Sequence, residues 1–127
     1  MRVLAAVQTR DISNLLLTLS FAGVDARICD SLDLTHDCLA DTWEENERYD
    51  VLVMDCAGRG LEFATALRAA GRRLPVIFLS DLDDLNLRIQ AARLGCAAFV
   101  LTRNCGIELP GILLSVAQSI QDGIYGD

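Results

Sequence analysis

The chain has 127 residues, a formal net charge of −7 and 52% hydrophobic residues. That length and apolar share suit one domain with a single core, and the negative balance makes DNA, RNA and anionic membrane poor electrostatic partners. No apolar run approaches the ~18 residues that a membrane-spanning helix needs. In chain order, residues 2–7 form a continuous apolar run, the pattern of a strand covered on both faces. Ile12, Leu15, Leu16 and Leu19 then recur at helical spacing, with Gly23 as a stop. Val24, Ala26 and Ile28 alternate as in a half-buried second strand. The stretch 31–46 predicts a helix with Leu34, Cys38, Leu39 and Trp43 on one side. A third strand is expected over 51–55, a helix over 61–70 capped by Gly71, and a fourth strand over 75–80. A helix over 85–94 ends at Gly95, a fifth strand covers 97–101, and a last helix covers 109–121 with Pro110 in its first turn. The tail DGIYGD is expected to fray.

Five strand–helix units with no internal repeat, low-complexity tract or linker predict one domain over 1–127, a parallel sheet between two helical layers. Ligands of such sheets sit outside the carboxyl ends of the strands, at the switch in strand order. The residues expected there are Gln8 and Thr9, Asp55 and Cys56, Ser80 and Asp81, and Thr102 and Arg103. The N-terminus, MRVLAAVQTRD, shows no small-residue cleavage site of a secretory signal. Cys29, Cys38, Cys56, Cys96 and Cys105 are odd in number and contain no C-x-x-C. They predict reduced, mostly buried thiols and a cytoplasmic setting. All eleven basic residues are arginine; the chain has no lysine.

Three segments in order carry a resemblance: YDVLVMD at 49–55, PVIFLS at 75–80 and GCAAF at 95–99. From about residue 2 to 121 the chain resembles a response-regulator receiver domain. The resemblance implies a flavodoxin-like, doubly wound (βα)5 fold with strand order 2-1-3-4-5. It implies that Asp55 stands at the phosphoacceptor position, Ser80 and Phe99 at the switch positions, Gln8 and Thr9 where an acidic pair would hold Mg²⁺, and Thr102 where a lysine would pair with the acceptor. The departures all remove charge. Mg²⁺ sheds water reluctantly and prefers carboxylate and phosphate oxygens, so an amide and a hydroxyl are poor substitutes. Arg103 could lend charge, although strand alternation starts it on the opposite side from Thr102. The loop from Asp55 to Gly60 is also shorter than the family's and lacks its proline.

The expectation is therefore an atypical receiver, or pseudo-receiver, with no resident metal or cofactor and no enzymatic activity of its own. It would act as a phosphorylation-independent interaction and dimerisation module of a response regulator, in transcriptional regulation. Its homodimer face would be helix 85–94, the fifth strand and the last helix, where Leu85, Leu87, Ile89 and Leu114 exceed what one core-facing stripe requires. A histidine kinase or another signalling protein is a further expected partner; DNA would be reached only through a separate domain, and no membrane contact is expected. Two alternatives stay open. One is a phosphorylatable receiver in which Asp55 accepts a phosphoryl group, with Asp11 or a water shell holding Mg²⁺. The other is a small-ligand or redox sensor using the same pocket near Arg103, Thr102 and Cys56.

Other constellations have plainer readings. Gly58-Arg59-Gly60 is a tight turn, since a dinucleotide site would place its glycines after the first strand. His36 and Cys38, with Cys29 nearby, have no sensibly spaced fourth metal ligand. Asp81, Asp83 and Asp84 suit a helix N-terminus better than a metal cluster.

Overall fold

The computed structural model describes residues 1–7, 10–18, 23–29, 49–56, 59–71 and 74–121. Strands β1 (Arg2–Ala6), β2 (Asp25–Cys29), β3 (Val51–Asp55), β4 (Val76–Ser80) and β5 (Ala98–Leu101) form one sheet. All four pairings are parallel and the strand order is β2-β1-β3-β4-β5. The helices are α1 (Arg10–Thr18), α2 (Gly60–Ala69), α3 (Leu85–Arg93) and α4 (Cys105–Gln121), with a 3-10 turn, Thr102–Asn104, leading into α4. The expected doubly wound sheet of order 2-1-3-4-5 is thus what the chain forms. Gln8, Thr9, Gly58, the helix expected over 31–46 with His36, Cys38 and Trp43, and the side chain of Asp11 lie outside the described residues.

Strand alternation sends successive side chains to opposite layers. Val3, Val51, Val53, Ile77 and Leu79 pack with Ile12 and Leu16 of α1 and with Leu109 and Leu113 of α4. Leu4, Leu52, Met54 and Phe78 pack on the other face with Ala64 of α2 and Ala91 of α3. Both faces of the central strands are therefore dry, which is why they read as unbroken apolar runs. The edge strand β2 keeps the expected alternation, with Asp25 and Arg27 exposed and Cys29 buried. The YD of the third-strand motif pins β3 to β1: Asp50 accepts from the Arg2 N–H at 2.7 Å through Oδ2, and its own N–H donates to the Arg2 carbonyl at 2.7 Å. At the same pole, Arg68 of α2 donates through Nη1 to the Arg93 carbonyl at 2.8 Å, joining α2 to the C-terminal end of α3.

One expected boundary is corrected. The last helix begins at Cys105, not at 109, so Pro110 lies inside it and not in its first turn. The reason is packing: Cys105, Leu109, Leu113 and Val116 form one buried stripe, so the apolar face already starts at Cys105. Pro110 supplies no N–H to the carbonyl of Gly106, and Gly106 is exposed, so that carbonyl can turn to water. Gly71 and Gly95 close α2 and α3 at φ 78 and 72, backbone that residues with a Cβ adopt at a cost.

Candidate functional site

The carboxyl ends of β3, β4 and β5 bring most of the sequence-identified residues to one pole. Asp55 ends β3 half-buried, opposite Leu79 of β4. The ladder runs one step further, with the Cys56 N–H donating to the Leu79 carbonyl at 2.7 Å. By alternation Asp55 shares the α1–α4 face with Val51 and Val53. Helix α2 starts against Asp55. A Cβ placed on Gly60 would collide with the Asp55 carbonyl oxygen, so Gly60 is a close-approach glycine.

Ser80 is buried at the end of β4. Its hydroxyl donates to the Leu82 carbonyl at 2.8 Å and accepts from the Leu82 N–H at 3.1 Å. Both bonds lie within its own loop. The acids that follow behave as a helix start: Asp84 caps α3 by accepting from the Asn86 N–H at 2.8 Å, Asp83 accepts from Arg88 Nε at 2.8 Å, and Asp81 is exposed. Phe99 is half-buried in β5 opposite Phe78, and the Arg88 guanidinium lies 4.8 Å from its ring centroid.

On the β5 side, Thr102 is half-buried and Arg103 exposed, both in the 3-10 turn. The group this arrangement adds is Cys105, which sequence reading placed only among the generic thiols. It is buried at the start of α4, with Sγ directed at the Leu101 carbonyl 3.7 Å away. Burial pushes its thiol up to about 11, and the carboxylates of Glu108 and then Asp55 push the same way. Asp55 therefore acts on a neutral thiol on this side. The signal that could have found Cys105 is its place at the head of the Leu109–Leu113–Val116 stripe.

Cys56 is buried in the α2–α3 layer, and its thiol is raised first by that burial and then by Cys96. Arg59 pairs with Glu62 at 3.7 Å in the open. Cys96 is likewise raised by burial. Thiolate is the reactive form, and burial disfavours it at Cys56, Cys96 and Cys105.

Among the described residues no three His, Cys, Asp or Glu side chains group to hold a metal. No helix among the described residues is long and apolar enough to cross a membrane.

The sheet order β2-β1-β3-β4-β5 is the fold of response-regulator receiver domains, and solved structures of that class share it. A response regulator from Thermotoga maritima superposes with TM-score 0.81 at 16% identity, covering 93% of this chain and 98% of that one. The Francisella response regulator 1452 receiver domain gives TM-score 0.76 at 22% identity, with 93% and 98% covered. A response regulator receiver protein from Pseudoalteromonas atlantica gives 0.77 at 16%, with 94% and 98% covered. The sequence matches no family model and no curated protein.

Proposed function

We infer that the chain is a receiver-type signalling module that works through protein contacts and not through a phosphoryl group on Asp55. The observation that carries this reading is Cys105. On the β5 side, where phosphoryl chemistry needs a cation, the chain has no lysine to take the role, and the buried group at the head of α4 is a thiol, Cys105, directed at the Leu101 carbonyl and raised by burial first. Phosphorylation would replace the single negative charge of Asp55 by an acyl phosphate carrying about two. A half-buried carboxylate with an amide and a hydroxyl, Gln8 and Thr9, in place of an acidic pair for Mg²⁺ offers little to offset that.

The output surface in this reading is the edge formed by α3, β5 and α4. Leu85, Ile89 and Leu114 are 70%, 40% and 66% exposed there. They supply apolar contact area for a second copy of the chain, or for a kinase or other signalling protein. In a transcriptional regulator, DNA contact would come from a separate domain.

The test is incubation of the purified protein with acetyl phosphate and Mg²⁺, read by intact mass, with Asp55→Asn alongside. No mass gain is expected. A stable single-phosphoryl adduct absent from Asp55→Asn would instead support the phosphorylatable reading. Light scattering on the same protein at tens of micromolar should report a dimer whose population is unchanged by acetyl phosphate, and a monomer would remove the self-association part of the proposal.

A further inference from the structure

Three side chains away from Asp55 join the loop after β4 to the edge strand β5. Asp83 Oδ1 holds Arg88 Nε at 2.8 Å, and the guanidinium carbon of Arg88 lies 4.8 Å from the centre of the Phe99 ring. The cation thus sits between a carboxylate at its edge and an aromatic face beneath it, and each partner uses a different part of the planar group. The loop they hold is closed from within as well. Ser80 brackets Leu82 through both its N–H and its carbonyl, and Asp84 caps α3. Leu82 and Leu85, 66% and 70% exposed, project from this fastened segment.

We propose that Asp83, Arg88 and Phe99 form a latch that fixes the 80–84 loop and the α3–β5 edge in one arrangement, independently of Asp55. Phe99 packs against the α2–α3 layer, so Arg88 cannot follow the ring if it moves without giving up Asp83. Asp83 in turn cannot leave Arg88 without removing the contact that ties the loop presenting Leu82 and Leu85 to α3 and, through Phe99, to β5. The latch therefore sets the shape of the apolar edge. That consequence for partner binding rests on the contact-face reading above; the latch itself rests on the geometry alone.

The test uses the full chain carrying fluorophenylalanine, with Phe99→Leu to assign the Phe99 resonance among the four phenylalanines. Asp83→Asn and Arg88→Gln should each shift the Phe99 signal. Each should also speed amide exchange at Leu82 and Asn86 by about three- to tenfold, the scale of one exposed ion pair plus one cation–π contact. Arg88→Lys keeps the charge but loses the planar fork and should restore the signal only in part. Asp81→Asn, which removes one charge from the same loop, and Asp55→Asn should leave both readouts in place. A Phe99 signal and exchange rates unmoved by both latch variants would overturn the proposal, as would an equal response to Asp55→Asn. Light scattering on the same variants keeps the two readings apart. A chain that never self-associates sinks the contact face, while the latch is judged by Phe99 and the exchange rates.

Discussion

Gly60→Ala lowers the urea midpoint of unfolding and costs about 1–3 kcal/mol, the range for forcing a methyl into a filled site. The sign is the informative part. Gly60 is the first residue of α2, and alanine is the better helix former by up to about 1 kcal/mol, so without a clash the substitution would stabilise. The new methyl would meet the carbonyl oxygen of Asp55, a backbone atom that cannot swing away as a side-chain tip can. Asp55 is held by its pairing with β4, and the next N–H is bonded to Leu79. Relief requires a shift of α2 or of the end of β3. Gly111→Ala is the matched control: it lies within α4, and a Cβ there meets nothing within 4 Å. It should stabilise by roughly 0.5–1 kcal/mol. Equal, stabilising effects at both glycines would show that α2 does not stand against Asp55.

The second large effect is alkaline. The Cys105 thiol is raised from its ordinary 9.0 to about 11 in the folded chain, so the unfolded chain gives up that proton first. The native state then binds more protons than the unfolded state, and stability falls with rising pH in that window. The contribution is complete below pH 9.0 and is lost as pH rises through about 11. Urea midpoints followed from neutral pH to about 11 should show this decline. Cys105→Ala should be less stable at neutral pH, because it leaves a small cavity, but should show a shallower alkaline slope. Cys56 and Cys96 are raised in the same direction and will leave a residual slope. Asp55→Asn removes the smallest of the three causes, so it should move the Cys105 midpoint down only slightly. Parallel slopes for the wild type and Cys105→Ala would mean that this thiol is not the shielded one.

The sheet was legible in the sequence because β1, β3 and β4 are covered on both faces, and that burial leaves unbroken runs such as VLVM and VIFL. Asp55, Ser80 and Phe99 were legible because each stands at or near a strand end, where one-dimensional spacing fixes position. Cys105 was not. Gly106 and Pro110 obscure the start of α4, and only the packed stripe from Cys105 to Val116 reveals it. The contact between Gly60 and Asp55 depends on how a loop folds back, and the Arg88–Phe99 stack depends on a helix passing over a strand. Neither leaves a periodic trace.

The joint between Arg68 and the Arg93 carbonyl gives α3 unequal ends. Its C-terminal half is seated, with Ala91 fully buried and Arg93 tied to α2. Its N-terminal end carries exposed Leu85 and is held by Asp83 and Asp84. The two fastenings differ in depth: the Arg93 end is backed by buried Ala91, whereas the Asp83 and Asp84 contacts lie at the exposed surface. Opening those surface contacts would let α3 turn as a lever about its Arg93 end, with the displacement smallest at Ala91 and largest at Leu82 and Leu85. The fulcrum would then lie at the pole opposite Asp55.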